Sequence, residues 1–205
     1  MNRGLYGITP QALLVDDRRL LEAVEAALEG GMVRLQYRAK NLPDEQRLRQ
    51  ARALRRLCLE HDARLIVNDD VDLALAAGAD GVHLGREDGA IAEARRRLGA
   101  DALIGASCYD RLALARQALD QGADHVAFGR FFPSSTKPDA VQAPVDLLAR
   151  ARRELDCPIC AIGGITANNG AQLIEAGADL LAAIEGLFSA EDIRQQARRF
   201  TQLWH

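Results

Sequence analysis

The sequence lacks three features, each of which would point to a particular class of protein. No apolar run approaches the roughly 18 residues of a membrane span, and no apolar segment typical of a secretion signal follows Met1. The formal net charge is −3, so the chain has no positive surplus of the kind that general binders of nucleic acid or anionic membranes carry. We therefore expect a cytoplasmic protein with no nucleic-acid or membrane partner, and the sequence leaves open whether it acts alone or as a homo-oligomer.

Cysteine is also scarce. Cys58, Cys108, Cys157 and Cys160 are too few to form a disulfide framework in a chain of 205 residues. The pair in "CPIC" has the spacing of a redox or zinc motif, but it falls in a strand-like run, where side chains three residues apart face opposite sides. No second pair of Cys or His residues lies nearby in sequence. We therefore predict ordinary packing around a strand.

What the sequence does contain is a phrase that recurs four times, in which an apolar run follows a glycine at the end of a helix-like stretch. The copies are "EGGMVRL" at 29, "AGADGVHL" at 77, "QGADHVAF" at 121 and "AGADLLAA" at 176. Their glycines, at positions 31, 78, 122 and 177, are 47, 44 and 55 residues apart. Each interval is about twice the length of one strand-plus-helix unit, which predicts a second unit inside it.

Four further strand candidates supply these units. They are "LYGIT" (5–9), "ARLIVN" (63–68), "ALIGAS" (102–107) and "PICAIG" (158–163). Apolar residues at three- and four-residue steps predict helices between the strands, for example over 16–30, 44–61, 111–122 and 189–204. Eight alternating units predict an α/β protein with one parallel (β/α)8 TIM barrel, a single catalytic domain over residues 1–205. The alternative is a doubly wound open sheet.

Active sites of such barrels lie where the strands end, and the second strand ends in "QYRAK" (36–40). Alternation places Gln36, Arg38 and Lys40 on one face and Tyr37 on the other. If the first face looks inward, an amide and two cations converge on the barrel mouth; the alternative is a basic edge that covers a helix. The same parity places Arg34 deeper inside, where a buried charge needs a partner that the sequence does not identify.

Carboxylates follow the third and fourth strands. Asp69 and Asp88 lie just beyond these strands, so we expect them to be close enough to share one magnesium ion, which takes one or two carboxylates together with water and phosphate oxygens. Asp70 and Asp72 are expected instead to cap or charge the first turn of the next helix. Asn68 is a candidate to hydrogen-bond a heterocycle; the alternative is a turn-forming asparagine.

A hydroxyl-rich loop, "FFPSSTKPD" (131–139), follows the sixth strand and faces the same mouth. It presents Ser134, Ser135, Thr136 and Lys137 together. Three hydroxyls and an ammonium suit an anion, although Ser, Pro and Asp also form ordinary solvated turns. Its position after a barrel strand favours a binding loop.

The remaining strands add weaker candidates. The fourth carries His83, which we expect to pack or to orient a neighbour, and the fifth carries Ser107. In "IGGIT", Gly163 and Gly164 would let the backbone approach a phosphate closely, since these barrels often bind phosphate after strands seven and eight. Residues 184–186 form the matching turn. The mouth thus has two separate anion-binding groups: the carboxylates and cations described above, and the backbone turns after strands seven and eight. Two such groups predict two phosphorylated substrates, one with a pyrophosphate that needs magnesium.

With these motifs in order and at suitable spacing, the chain resembles the thiamine phosphate synthase family over nearly its whole length. The resemblance is carried by "QYRAK", "VNDDVDLALAAGADGVHLGRED", "IGAS", "FGRFFPSSTKPD" and "AIGGIT". It implies a transferase of thiamine biosynthesis that joins 4-amino-2-methyl-5-(diphosphooxymethyl)pyrimidine to thiazole phosphate and releases pyrophosphate.

The resemblance also implies a role for each site residue. The pyrimidine substrate would lie against Gln36, Arg38, Lys40, Asn68, Ser107 and Lys137. Asp69 and Asp88 would hold Mg²⁺ on its pyrophosphate. The thiazole phosphate would contact Ser134, Ser135, Thr136, Gly164, Ile184 and Glu185. Arg38, Lys40, Lys137 and Ser107 would be the catalytic residues.

The implied chemistry is dissociative: loss of pyrophosphate leaves a carbocation on the pyrimidine methylene, which the thiazole nitrogen attacks. Cations must neutralise the leaving group, and water must be excluded. Two rival hypotheses are a thiazole tautomerase-like barrel and a non-catalytic phosphate-binding barrel, neither of which needs both the basic set and the carboxylates. Two residues depart from the family pattern: Pro10 stands where Asp is frequent, and Glu185 where Ser is frequent. We expect the Glu185 side chain to point away from the phosphate.

Overall fold

Eight parallel strands form a closed barrel in the computed structural model, which describes residues 3–85, 90–133 and 142–204. Each strand pairs with the next, and the last pairs with the first, so that Tyr6 lies between Arg34 and Ala182. The strands are β1 (Gly4–Ile8), β2 (Arg34–Tyr37), β3 (Arg64–Asn68), β4 (Gly81–Leu84), β5 (Leu103–Tyr109), β6 (His125–Gly129), β7 (Ile159–Ile162) and β8 (Leu180–Ala183). The predicted (β/α)8 barrel is confirmed, and the open-sheet alternative is wrong.

Helices follow the strands and surround the barrel. They are α1 (Asp17–Glu29), α2 (Asp44–Glu60), α3 (Val71–Ala77), α4 (Ile91–Leu98), α5 (Leu112–Asp120), α6 (Asp146–Glu154), α7 (Ala171–Glu175), α8 (Glu185–Phe188) and α9 (Ile193–Thr201), with short 3-10 helices at Gln11–Leu13 and Gln202–Trp204. Helix α9 packs against α1 and completes the outer ring. No helix in the described part of the chain is long and apolar enough to cross a membrane.

The recurrent sequence phrase has a structural reason. Its glycines all have positive φ, between 65° and 116°, and so end the preceding helix as predicted. In three copies the phrase continues with an aspartate whose carboxylate accepts a hydrogen bond from one of the first two amides of the preceding strand. The pairs are Asp80 with Leu65 at 2.8 Å, Asp124 with Ile104 at 2.6 Å and Asp179 with Ile159 at 2.9 Å. Each aspartate also pairs with at least one arginine. These aspartates thus link neighbouring strands at the amino-terminal end of the barrel, opposite the mouth.

The cysteines pack as predicted. Cys160 lies in β7 and belongs to the apolar cluster inside the barrel, together with Tyr6 and Ile66. Cys157 precedes the strand and packs against the outer cluster, between strands and helices. Burial raises the pKa of the Cys160 thiol to about 12, so this sulfur is a packed thiol. The four cysteines are free, and the described residues contain no cluster of three metal-ligating side chains.

Candidate active site

The carboxyl ends of the strands surround a cavity of about 390 Å³. It brings together seven of the predicted site residues, namely Gln36, Arg38, Asn68, Ser107, Gly164, Ile184 and Glu185. A wider, polar groove of about 540 Å³ adjoins it, shares Asn68 with it, and is lined by Lys40 and Asp69. The other predicted site residues, Asp88, Ser134, Ser135, Thr136 and Lys137, lie outside the described residues.

Strand β2 directs alternate side chains as its sequence predicts. Gln36 points into the barrel, where its amide nitrogen lies 3.1 Å from the hydroxyl of Tyr6. Tyr37 points outward and donates to Gln50 of α2 at 2.7 Å. Just beyond the strand, the Arg38 amide donates to the hydroxyl of Thr9 at 2.9 Å. The hydrogen bonds of Gln36 and Arg38 tie the ends of β1 and β2 together and hold both residues at the mouth.

Arg34 lies below this level and is only 2% exposed. Its guanidinium carbon lies 5.4 Å from the centroid of the Tyr6 ring, a distance at which a cation is attracted to an aromatic face. Within the described residues, its Nε and Nη1 atoms have no hydrogen-bond partner. The partner that the sequence did not identify is therefore an aromatic ring.

Lys40 and Asp69 meet at the outer edge of the mouth. The Lys40 ammonium lies 3.2 Å from the Asp69 carboxylate. Asp69 has a left-handed backbone, with φ of 64°, and its amide donates to the carbonyl of His83 on β4 at 2.9 Å. This bond fixes the carboxylate at the rim of the cavity. One partly exposed carboxylate fits magnesium, which takes its other ligands from water, phosphate and at most one further acidic side chain.

The two neighbouring aspartates serve the helix, as predicted. Asp70 caps α3 by accepting from the Leu73 amide at 2.9 Å, and it pairs with Arg47 at 2.6 Å. Asp72 lies in the first turn and pairs with Arg97. Their charges are therefore compensated by arginines of neighbouring helices.

Two histidines lie beside the cavity floor. The Nε2 atom of His83 lies 2.9 Å from the Ser107 hydroxyl, which agrees with the expectation that His83 orients a neighbour. Its ring centroid is 5.7 Å from that of His125. Burial, reinforced by the positive charge of Arg34, lowers the pKa of His125 well below its usual range. His125 is therefore neutral at pH 7.

The glycines after β7 are also needed for a reason that the sequence did not show. Gly163 and Gly164 both have positive φ. A β-carbon on Gly163 would lie 2.2 Å from the Arg130 side chain, and one on Gly164 would lie 2.3 Å from the Pro133 carbonyl. The close approach that excludes a side chain is therefore with the loop after β6. Asn169 stabilises the turn by donating to the Gly164 carbonyl at 3.0 Å.

The turn after β8 leads directly into α8, whose first amides have no partner inside the helix. Ile184, Glu185 and Gly186 line the cavity there. The Glu185 carboxylate accepts a hydrogen bond from the Ser189 hydroxyl, one helical turn onward. The side chain thus runs along the helix.

Sequence reasoning missed Tyr6 and Tyr109, which also line the cavity. Tyr6 was recognisable, because alternation along β1 puts it on the same face as Ile8. Tyr109 was missed because the predicted fifth strand ended at residue 107, whereas β5 continues to Tyr109. Pro10 is buried, and its carbonyl begins a 3-10 turn by accepting a hydrogen bond from the Leu13 amide.

Comparison with known proteins agrees with this geometry. A family model described as thiamine monophosphate synthase matches residues 5–187. A thiamine-phosphate synthase of Chromobacterium violaceum is 58% identical over 95% of this chain and 93% of its own length. One from Azoarcus sp. is 55% identical over 98% and 97%. The solved structure of a thiamine phosphate pyrophosphorylase from Pyrococcus furiosus matches with a TM-score of 0.89 and 35% identity, over 98% of this chain and 95% of the other. The chain belongs to the thiamine monophosphate synthase family.

Proposed function

We propose that the chain is a thiamine-phosphate synthase, a transferase that joins 4-amino-2-methyl-5-(diphosphooxymethyl)pyrimidine to thiazole phosphate and releases pyrophosphate. The observation that carries this proposal is one cavity that has Gln36, Arg38 and Asn68 on one side and the turns after β7 and β8 on the other. In a family whose relatives bear this activity in their names, that arrangement suits two different ring substrates. Cytoplasmic action is proposed on the sequence grounds alone.

In this proposal the side chains of Gln36, Asn68 and Ser107 bind the pyrimidine. Gln36 is held by Tyr6 and Ser107 by His83, so both polar groups are oriented before substrate arrives. Such orientation reduces the entropy that binding and reaction must overcome. Asn68, at the end of β3, reaches both the cavity and the polar groove, which suits a residue at the junction of ring and pyrophosphate.

The leaving pyrophosphate extends toward the polar groove. Arg38 and Lys40 neutralise its charge, together with Lys137 as proposed from the sequence. Asp69 and Asp88 would hold Mg²⁺, which supplies further positive charge to the departing oxygens when it is bound. Because the Lys40 ammonium lies 3.2 Å from the Asp69 carboxylate, it would lie close to a pyrophosphate bound at a metal that Asp69 holds.

The thiazole phosphate binds to main-chain amides after β7 and β8 and, as proposed from the sequence, to Ser134, Ser135 and Thr136. Support comes from Glu185, whose carboxylate is engaged by Ser189. A carboxylate turned along the helix leaves the amides of the α8 turn accessible to an anion.

The bond changes need no base from the protein. The C–O bond of the pyrimidine methylene breaks, and pyrophosphate keeps the electron pair. The thiazole nitrogen then donates its lone pair to the methylene carbon, forming the C–N bond. The protein's part is to orient both rings, stabilise the departing charge and keep water from the cation.

The test is an assay of pyrophosphate release with each substrate alone and with both together, in the presence of Mg²⁺. The proposal predicts rapid release, with thiamine phosphate as co-product, only when both substrates are present. A barrel of the tautomerase type would leave the pyrimidine substrate unchanged, and a non-catalytic barrel would change neither.

A further inference from the structure

Tyr109, at the end of β5, has an unusual backbone. Its φ is 55°, a left-handed conformation that bulky residues rarely adopt. The Arg111 amide donates to the Cys108 carbonyl at 3.0 Å, which makes Tyr109 the first central residue of a tight turn. Turns with positive φ at this position favour Gly, Asn or Asp. The local backbone therefore favours a small residue, yet the chain has an aromatic one.

The strand register is also disturbed at this residue. Ser107 pairs with Ala127 of β6, but Tyr109 pairs with Phe128, so two residues of β5 advance only one residue of β6. Bulges of this kind redirect side chains next to active sites. Cys108, the residue between, is fully buried in the outer core. Ser107 and Tyr109 both line the cavity.

The Tyr109 ring gains little from packing in return. It is 44% exposed, which places it among the few exposed large apolar side chains in the described structure. The other two non-glycine residues with positive φ in the described chain are Asp62 and Asp69, and Asp tolerates this region. Tyr109 is the one bulky side chain held in this way within the described residues. Backbone strain that packing does not require points to a functional use.

We propose that Tyr109 is a positioning residue whose ring lies over the pyrimidine and shields its methylene carbon from bulk water. The inference rests on the proposed function, since it takes Ser107, two residues earlier on the same strand, as a pyrimidine contact. An aromatic face half exposed at a cavity mouth suits offset stacking with a flat heterocycle. The same face would keep water from the carbocation, which water would otherwise trap.

Water trapping has a distinct product. Water oxygen bonds to the methylene carbon, its proton passes to solvent, and pyrimidine alcohol is formed instead of thiamine phosphate. The ratio of alcohol to thiamine phosphate per pyrophosphate released therefore reports shielding. A purely structural role for Tyr109 would change protein stability and leave this ratio unaltered.

The experiment compares wild type with Tyr109→Asn, Tyr109→Gly and the control Tyr109→Phe, measuring this product ratio and the thermal midpoint. Asn and Gly suit the left-handed backbone, so their midpoints should equal or exceed that of wild type. Both should raise the alcohol fraction by about fivefold or more, whereas Phe, which keeps the ring, should stay within about twofold.

An unchanged alcohol fraction in the Asn and Gly variants would overturn the proposal while leaving the synthase function intact. Lowered midpoints in both variants with an unchanged ratio would assign the ring to packing and overturn it equally. A wild-type protein that forms no thiamine phosphate would instead refute the proposed function, and the role of Tyr109 with it.

Discussion

The three aspartates of the recurrent phrase predict a graded loss of stability when each is replaced by alanine. All three accept a hydrogen bond from one of the first two amides of the preceding strand and pair with arginine, but their side chains differ in exposure. Asp80 is 7% exposed, Asp179 is 10% and Asp124 is 37%. The same substitution at the three positions therefore varies solvent access while the main interaction stays the same.

The magnitude follows from what each substitution leaves behind. Without Asp179, the Ile159 amide loses a charge-assisted hydrogen bond of 2.9 Å in a buried place, at a cost of about 2–3 kcal/mol. Asp80→Ala should cost a similar amount, for the same reason. The Asp124 side chain is the most exposed of the three, so water already weakens its interactions and we expect a cost of about 1 kcal/mol.

Urea unfolding followed by circular dichroism gives these free energies of unfolding. The Asp179→Asn variant is the matched control, because its amide oxygen can still accept from Ile159 while the negative charge is lost; it should recover at least half of the alanine loss. If Asp124→Ala costs as much as Asp179→Ala, or if Asn recovers nothing, burial of this hydrogen bond is not what matters and the reasoning fails.

Four further predictions concern the site and the interior. Asp69→Ala should lower kcat by about 100-fold or more at saturating Mg²⁺ because a ligand of the metal that stabilises the leaving pyrophosphate is lost, and full steady-state activity in EDTA would contradict the metal assignment. Lys137→Arg should retain more single-turnover pyrophosphate release than Lys137→Gln if its charge matters; equal losses would argue against that role. Glu185→Ser should change the KM for thiazole phosphate by less than about threefold, whereas tenfold tighter binding would show that the carboxylate faces the phosphate. The pKa of His125 is lowered in the folded protein. Below the ordinary histidine pKa of 6.5, this side chain therefore takes up a proton in the unfolded chain but not in the folded one. Unfolding free energy should then fall by about 1–2 kcal/mol from pH 6.5 to 5, and His125→Gln should flatten that slope; an unchanged slope would refute this source.

Much of the barrel was predictable because its repeat is local. Helix-ending glycines and apolar runs recur at regular spacing. Because each strand of such a barrel pairs with the next one along the chain, finding eight strands in sequence also gives their order in the barrel. The aspartates of the phrase are visible in the sequence, but their function is not. Their acceptor role depends on an amide about 15 to 20 residues earlier in the chain, as with Asp80 and Leu65.

The site was predictable where it depends on alternation along one strand and not where it depends on distant segments. Gln36 and Arg38 follow from the parity of β2. The need for glycine at position 163 does not follow from strand parity, because the side chain that excludes a β-carbon there, Arg130, comes from the loop after another strand. Arg34 was placed correctly at the interior, but its partner, the face of Tyr6, lies on another strand and could not be named from the sequence.

The most direct test of the account is the stoichiometry of one reaction followed by phosphorus NMR. Purified protein is mixed with the pyrimidine pyrophosphate, thiazole phosphate and Mg²⁺, with an Arg38→Gln variant as control. The account predicts that thiamine phosphate and pyrophosphate appear in equal amounts and at equal rates, and that the variant is at least about 100-fold slower because the leaving charge is less well neutralised. No thiamine phosphate, or inorganic phosphate in place of pyrophosphate, would contradict it.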